Sequence, residues 1–296
     1  MNLTSPSVIS ELMAAHQLHF NKQFGQNFLI DQNILEKIVD AGQITEADTV
    51  LEIGPGIGSM TQEMAARAHQ VVTVEIDKKL IPVLEETLSE FDNIALVNQD
   101  FLKTDVLDLI QAPTPLKVVA NLPYYITTPI IMKLLETPWP DGIDLSRMTF
   151  LVQKEVGERI CAEPGSKSYG ALSVIVQYYA DPNVMFTVPA SVFMPKPKVD
   201  SIVISLQKRT QMAFEPCDKN QFFKVVKAAF QTRRKTLINS LSNNTAYPKD
   251  VLLDALNEAR IDPKKRAEQI DGEDFCRLSN ILYQKGANND IESRQK

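Results

Sequence analysis

The sequence predicts an α/β fold built on an open sheet, followed by a smaller helical region. The apolar strand Thr49–Ile53 runs directly into the glycine-rich turn Gly54–Gly58 and then into a helical pattern, which is the opening unit of a nucleotide-binding α/β fold. Three successive predicted strands then end in polar residues, at the edge where ligands bind in such sheets. Near Lys208 the strand pattern stops, and only helical patterns follow.

The elements follow from local patterns along the chain. The first 20 residues are a polar, mildly helical lead-in, and Asp31 is an N-cap for the helix that follows it. The run Leu172–Tyr179 fits either a helix or a strand. The predicted strands are 49–53, 71–77, 94–98, one ending at 121, 148–153, 184–188 and 201–206, and the other predicted helices are 60–68, 78–88, 129–136, 154–161, 219–241, 248–259 and 263–284.

These patterns divide the chain into domains. We expect an α/β domain over 1–208, in which 1–20 is the lead-in, and a helical domain over 209–285. The polar residues 286–296 are expected to be a disordered tail.

Composition indicates an ordinary globular chain, since 44% of its 296 residues are hydrophobic and 23% are charged. No apolar run approaches the roughly 18 residues that a membrane span needs, and the N-terminus lacks the pattern of a signal peptide. The three cysteines are far apart, and with the three histidines they form no zinc-binding spacing. We therefore expect a cytoplasmic protein with no membrane segment and no metal.

The net charge of −6 conceals a basic region. Residues 196–240 contain ten Lys or Arg and only three Asp or Glu. Lys196 and Lys198 lie in a stiff, proline-rich loop that is suited to lie against a phosphate backbone. A further basic group lies in the predicted helix 219–241 and consists of Arg233, Arg234 and Lys235. A solvated helix face or a rigid connection is the alternative for any one of these segments.

Three strand ends carry candidate ligand-binding residues. Gly54 and Gly56 permit unusual backbone angles and close approach of a ligand to the turn. Glu75 ends the next strand, where a carboxylate can accept hydrogen bonds from both hydroxyls of a ribose. Asp100 follows the third strand and could accept from an adenine amino group, although a helix-capping role is the alternative.

The spacing of the glycines separates two classes of enzyme. Gly-Pro-Gly-Ile-Gly lacks the Gly-x-Gly-x-x-Gly spacing that receives a pyrophosphate, which argues against a dinucleotide. The nearby acidic residues would tolerate the sulfonium cation of S-adenosylmethionine better than a dinucleotide's negative charge. They are Glu52, Glu75, Asp77 and Asp100. The pattern therefore favours methyl transfer over hydride transfer.

The stretch Asn121-Leu-Pro-Tyr124 is the candidate catalytic motif. Pro123 ends the strand because its ring fixes φ and removes a backbone donor. Asn121 and the backbone beside Pro123 offer acceptors, and Tyr124 offers a ring face, which together fit a flat base with an exocyclic amine. An ordinary strand-to-loop turn is the alternative, because Asn and Pro are common turn residues.

Taken together, the motifs resemble those of the KsgA/RsmA family of ribosomal RNA small-subunit adenine N6,N6-dimethyltransferases. The resemblance covers roughly residues 20–284, in order and at the family's spacing. One departure is Tyr125, which stands where many members have Asn. The motifs are Phe24–Leu29, Val50–Gly58, Val74–Asp77, Asn98–Asp100, Asn121–Tyr124, Gln153–Val156, Ser168–Gly170, Phe193–Ser201 and Phe230–Thr236.

The resemblance implies a Rossmann-like, S-adenosylmethionine-dependent methyltransferase domain followed by a small all-helical domain. It implies dimethylation of two adjacent adenosines in the 3′-terminal hairpin loop of 16S rRNA, either free or in the assembling 30S subunit, by a protein that also serves subunit biogenesis. We expect the protein to be a monomer. By motif position, Asn27 and Leu29 would line the methionine end of the cofactor, Glu75 the ribose and Asp100 the adenine. Asn121 would lie near the transferred methyl group.

The expected mechanism follows from the poor nucleophilicity of an adenine amine. Acceptors at Asn121 and beside Pro123 would hold its two hydrogens and so direct its lone pair, while Tyr124 stacks on the flipped base. We expect no general base before transfer, because the product loses its proton readily to water.

Three alternative functions are compatible with parts of the sequence. A large-subunit rRNA adenine methylase of the macrolide-resistance type shares the Asn-Leu-Pro-Tyr logic, but the 193–201 and 230–236 motifs favour the small-subunit enzyme. A non-catalytic rRNA or assembly-binding factor would not need Gly54, Glu75, Asp100 and Asn121 together. An NAD-dependent dehydrogenase disagrees with the turn spacing and lacks a histidine near the predicted strand ends.

Overall fold

The computed structural model describes residues 1–20, 26–111 and 114–294, with side chains as far as 286. Two compact units are present. The first comprises Met1–Gly157 and Pro182–Lys208, and the second comprises Glu158–Asp181 and Arg209–Lys296. The second unit thus includes a segment that composition alone assigned to the α/β domain, and the division into 1–208 and 209–285 stays a prediction.

A seven-stranded mixed sheet forms the centre of the fold, beside a two-stranded ribbon. The strands are β1 (Phe28–Leu29), β2 (Thr49–Ile53), β3 (Gln70–Glu75), β4 (Ile94–Asn98), β5 (Thr114–Asn121), β6 (Ile143–Gln153), β7 (Ala180–Val188), β8 (Phe193–Met194) and β9 (Ser201–Lys208). The large sheet has the order β4-β3-β2-β5-β6-β9-β7, and β1 pairs with β8.

The topology places a ligand-binding edge in the middle of the large sheet. β4, β3, β2, β5 and β6 are parallel, whereas β9 is antiparallel to β6. The chain progresses from β2 outward to β4 and then returns to add β5 on the other side of β2, so the strand order reverses between β2 and β5. In open α/β sheets, ligands bind outside the carboxyl ends of the strands at such a reversal.

Helices of the first unit cover the sheet. They are α1 (Pro6–Ala15), α2 (Gln32–Ala41), α3 (Ser59–Ala65), α4 (Ile81–Thr87), α5 (Thr127–Glu136) and the start of α6 (Lys154–Ile160). Asp31 caps α2 as predicted, since its side chain accepts from the Ile34 N–H at 3.1 Å. Apolar residues of α2 and α3, such as Ile38 and Met64, are fully buried against β2 and β3.

The second unit is helical. It contains the rest of α6, α7 (Ala171–Tyr179), α8 (Lys219–Phe230), α9 (Leu237–Asn244), α10 (Lys249–Glu258) and α11 (Gly272–Arg294). The run over 172–179, which periodicity left open, is helix. Aromatic rings join α7 to α8, as Tyr178 and Phe222 show with ring centroids 5.9 Å apart. The tail predicted to be disordered, 286–296, coincides with the last residues of α11 and with two residues that the structure does not describe. Its disorder stays a prediction.

Two predicted helices of this unit are wrong in their extent. The helix predicted over 219–241 is broken between α8 and α9, where Lys235 N–H turns back to the Thr232 carbonyl. The N–H of Leu237 then bonds to the Lys265 carbonyl at 2.7 Å, so a distant loop satisfies the start of α9. The helix predicted over 263–284 begins only at Gly272, after a short 3-10 turn at Ala267–Gln269.

Candidate active site

A cleft opens at the carboxyl ends of β2, β3, β4 and β5, the edge that the topology indicates. It encloses about 1050 Å³, including open solvent at its mouth. Every predicted catalytic and cofactor residue lines it: Asn27, Leu29, Gly54, Gly56, Glu75, Asp100, Asn121, Pro123 and Tyr124. Phe24 and Gly25 of the first motif lie outside the described residues.

The glycine-rich turn leaves space at the end of β2. Gly54 has φ +73° and no heavy atom within 4 Å of the position a β-carbon would take, so the turn presents bare backbone to the cleft. At Gly56, with φ +62°, a β-carbon would lie 3.0 Å from the Phe28 ring. A side chain at either position would therefore be strained, and at Gly54 it would also occupy the cleft.

Glu75 lies at the end of β3 and is almost fully buried. Its Oε1 accepts from the Asp77 N–H at 2.7 Å, and its carboxylate also accepts from the backbone N–H of Gly56. Burial raises the pKa of Glu75 to about 7, with the nearby Asp77 charge adding to the effect. The carboxyl group is thus poised to change charge near neutral pH.

Glu52, in β2, is a second buried carboxyl group beside the cleft, and it is 0% exposed. Its Oε2 accepts from the Thr61 hydroxyl at 2.7 Å. Within the described part of the chain, Oε1 has no hydrogen-bond partner. Burial raises the pKa of Glu52 to about 7, and the Glu75 charge contributes to this increase. From the sequence alone, Glu52 was predicted only as one of four acidic residues near the cofactor.

Asp100 and Phe101 follow β4. The Oδ1 atom of Asp100 accepts from the Leu102 N–H at 3.0 Å, and the side chain remains 30% exposed. Phe101 is 5% exposed, so it belongs to the core and lines the cleft as well. For Asp100, capping the turn after β4 is thus compatible with binding a ligand in the cleft.

The two-stranded ribbon brings distant motifs to the end of β5. Leu29 pairs with Phe193 in register, which joins the start of the chain to the proline-rich loop. The side-chain Nδ2 of Asn121 donates to the Asn27 carbonyl at 3.2 Å. The Oδ1 atom of the same amide is left to accept a hydrogen bond.

The two tyrosines that follow Pro123 differ in their surroundings. The Tyr124 hydroxyl shares a 2.8 Å hydrogen bond with the Ser201 hydroxyl at the start of β9, and burial raises the pKa of Tyr124. Its ring is therefore held by the backbone at one end and by the Ser201 hydroxyl at the other. Tyr125, by contrast, is 57% exposed at the mouth of the cleft. Ser201 was not predicted as a site residue, because its role depends on β9 lying beside β6.

The predicted RNA-binding residues are exposed in the unit to which each belongs. Lys196 and Lys198 lie in the loop of the first unit, after a cis Met194–Pro195 bond. Arg233, Arg234 and Lys235 lie in the turn that separates α8 from α9 in the second.

Arg233 differs from its neighbours in that turn. It donates to the carbonyls of Lys167 and Tyr169 at 2.6 and 3.2 Å, so it secures the Ser168–Gly170 segment within the second unit. Arg233 therefore has a structural role that does not depend on RNA.

Two kinds of feature are absent from the described residues. No group of His, Cys, Asp or Glu there could hold a metal ion. Nor is any described helix both long and apolar enough to span a membrane.

Comparisons with known proteins agree with this geometry. Residues 17–284 match the family model described as ribosomal RNA adenine dimethylase. The chain is 47% identical over 289 residues to ribosomal RNA small subunit methyltransferase A of Enterococcus faecalis, covering 95% of this chain and 96% of the relative. It is 46% identical over 286 residues to the protein of that name from Clostridioides difficile, covering 96% and 98%.

Solved structures show the same fold. A dimethyladenosine transferase from Plasmodium falciparum matches with a TM-score of 0.72 and 26% identity, covering 88% of this chain and 98% of that one. The 23S rRNA methyltransferase ErmE matches with a TM-score of 0.67 and 29% identity, covering 87% and 100%. On the family match and the identity to its relatives, the chain belongs to the ribosomal RNA adenine dimethylase family.

Proposed function

We propose that this protein is an S-adenosylmethionine-dependent enzyme that dimethylates N6 of two adjacent adenosines in the 3′-terminal hairpin loop of 16S rRNA, in the small ribosomal subunit. Its relatives at 46–47% identity are named small-subunit methyltransferases. The observation that carries the proposal is the Asn121 amide, which the Asn27 carbonyl orients beside the cleft.

The residues present fit the proposed cofactor. Gly54 leaves the space that a β-carbon would fill, and Glu75 presents a buried carboxyl group to a ribose. Glu52 lines the same cleft, and its charge suits a sulfonium cation whenever the carboxyl group is ionised. Asp100 is proposed to accept from the adenine amine, and Asn27 and Leu29 to line the methionine end. S-adenosylmethionine, when bound, supplies an electrophilic methyl group.

The target amine is proposed to meet two acceptors at the end of β5. One is the Oδ1 of Asn121. The Pro123 carbonyl already accepts from the Ile126 N–H and the Thr127 hydroxyl, both at 3.1 Å, so we assign the second role to the carbonyl of Leu122. Two acceptors on the two amine hydrogens would hold the group in one plane and direct its lone pair toward the methyl group.

Tyr124 is proposed to stack on the adenine that leaves the RNA hairpin. Its hydroxyl is held by Ser201, so the ring orientation is set before RNA arrives. Pro123 contributes by ending β5 and fixing the turn that carries the ring. After the first transfer one amine hydrogen remains, so the second transfer relies on one acceptor and on the stack.

The exposed basic residues are proposed to contact RNA phosphates. Lys196 and Lys198 lie on the loop that begins at the ribbon, next to the motif that holds Asn27. Arg234 and Lys235 are exposed on the second unit. Arg233 is assigned a structural role, because it donates to two backbone carbonyls of the second unit.

The substrate assignment is tested with S-adenosylmethionine that carries a tritiated methyl group. Undermethylated small subunits, free 16S rRNA and large subunits are each incubated with the protein, and labelled nucleosides are identified by chromatography. We expect N6,N6-dimethyladenosine in small-subunit rRNA. Label in large-subunit rRNA would replace the proposal with a resistance-type methylase, and tight subunit binding without label would replace it with an assembly factor.

A further inference from the structure

Lys133, in the last turns of α5, holds one wall of the cleft although it does not line the cleft itself. Its Nζ donates to the backbone carbonyls of Phe101, Leu102 and Thr104 at 2.9, 3.0 and 2.5 Å. An ammonium group has three donors, and these carbonyls use all of them. The same Nζ lies 5.4 Å from the centroid of the Phe101 ring.

The segment that Lys133 holds has little regular structure of its own. It begins where β4 ends and carries Asp100 and Phe101, the residues that face the proposed adenine site. Within the segment, the Thr104 hydroxyl donates to the Asp100 carbonyl at 2.9 Å and Asp100 caps the Leu102 N–H. These bonds shape the turn, but they do not tie it to the rest of the sheet.

The same helix also contacts a second part of the cleft lining. In the first turn of α5, the Thr127 hydroxyl donates to the Pro123 carbonyl at 3.1 Å, next to the catalytic motif. Lys133 lies six residues further along, about 9 Å at the rise of an α-helix. One rigid element therefore contacts both the Asn121–Tyr124 turn and the Asp100–Thr104 segment.

We propose that Lys133 is a positioning residue, which fixes Asp100 and Phe101 for recognition of the adenine of S-adenosylmethionine. The role rests on the proposed function. Without the ammonium group, three carbonyls lose their donor and the segment is free to shift relative to α5. Asp100 would then no longer stand where it selects a 6-amino group, whereas the ribose and methionine contacts on β1, β2 and β3 would remain.

A matched control is available in the same sheet. Lys117 of β5 is a partly buried lysine with its own partners, since its Nζ lies 2.8 Å from the Asp48 carboxylate. It lies four residues before Asn121, in the middle of β5, and it does not line the cleft. Its loss should cost stability as the loss of Lys133 does, without touching the segment after β4.

The test compares two ligands by calorimetry: S-adenosylhomocysteine and its inosine analogue, which carries a 6-oxo group in place of the amine. The wild type should prefer S-adenosylhomocysteine by at least about tenfold, because a site that accepts from an amine rejects a ligand lacking it. Lys133→Met should weaken S-adenosylhomocysteine by about tenfold and reduce the preference to below about threefold. Lys133→Arg, which keeps a cationic donor, should restore most of the preference.

The kinetics should separate in the same way. Lys133→Met should raise the KM for S-adenosylmethionine about tenfold and leave kcat at saturating cofactor within about threefold, because Asn121 and Tyr124 are untouched. Lys117→Met should lower the melting temperature and retain the wild-type preference. A Lys133→Met protein that is destabilised but keeps the full preference would overturn the inference. A wild type that binds neither ligand would contradict the proposed function itself.

Discussion

The Asn121 side chain donates its amide nitrogen to the Asn27 carbonyl at 3.2 Å, a contact between residues 94 positions apart in the chain. It fixes which end of the amide faces the cleft. The contact exists because β1 pairs with β8 and so holds the first motif against the end of β5. The fold thus supplies the orientation that the chemistry needs, without a further side chain.

Cofactor affinity should depend on pH through Glu75. Its pKa is raised to about 7 by burial, so the carboxyl group is protonated below that pH and can no longer accept from both ribose hydroxyls. The Kd for S-adenosylhomocysteine should rise as the pH falls, by up to about fivefold between pH 7 and 6. Calorimetry across pH 6–8 measures this. Glu75→Gln should bind weakly with a flat profile, and a flat wild-type profile would contradict the assignment.

Glu52 should make the fold less stable at high pH. Its pKa is about 7 in the folded protein against an ordinary value of 4.5, so the folded state binds more protons between those values. Its favourable contribution is therefore complete below pH 4.5 and is lost as the pH rises through 7. Glu52→Gln should stabilise the protein at pH 8 by roughly 1–3 kcal/mol and by less at pH 5.

Denaturant melts at the two pH values measure the Glu52 effect. Glu46→Gln is the control, because Glu46 is exposed and its substitution should change neither value. Equal effects of Glu52→Gln at pH 5 and 8 would show that the buried carboxyl group is not the cause.

Tyr124 and Ser201 should act as a pair. Removing either hydroxyl breaks the same 2.8 Å hydrogen bond, so Tyr124→Phe and Ser201→Ala should slow methylation to a similar degree, several-fold, and the double variant should be no slower. Tyr124→Ala removes the stacking face and should cost about tenfold to a hundredfold more. Single-turnover rates provide the comparison. Additive effects of the two single changes would rule out the coupling.

Arg233 and Arg234 should differ although they are adjacent. Arg234→Ala should reduce the slope of log affinity for RNA against log salt by about one. Arg233→Ala should instead lower the melting temperature, because the carbonyls of Lys167 and Tyr169 lose their donor. Titrations over a range of salt concentrations and thermal melts separate the two effects. Identical behaviour of the two variants would refute this division.

Local pattern predicted the parts of the fold that depend on local causes. β4 occupies Ile94–Asn98, the bounds predicted for that strand, and the Asp31 cap begins α2. The break between α8 and α9 was missed because it depends on a carbonyl of Lys265, which is far away in sequence. Residues 231–236 contain no Gly or Pro that would end a helix, so the predicted helix ran through them, whereas a tertiary bond satisfies the start of a separate helix at Leu237.

The residues of the candidate site also fall into those that local pattern predicts and those that only the fold brings together. Strand ends, glycines and carboxylates are visible in the sequence, so the lining residues were predicted, and their individual roles stay predictions. Lys133 and Ser201 were missed because each acts through another residue across the fold. A lysine in the last turns of a helix is ordinarily a solvated residue or favours the helix dipole, and nothing in the sequence near Lys133 indicates three carbonyls of a distant loop.

The Asn121 amide should direct the target amine rather than bind the cofactor. The most direct measurement is the single-turnover rate of N6-methyladenosine formation in undermethylated small subunits by Asn121→Ala, set beside its Kd for S-adenosylhomocysteine. We expect a rate at least about a hundredfold lower than that of the wild type, because a hydrogen bond made in the transition state is lost, and a Kd within about threefold of the wild-type value. A near-normal rate, or a loss that appears wholly in the Kd, would contradict it.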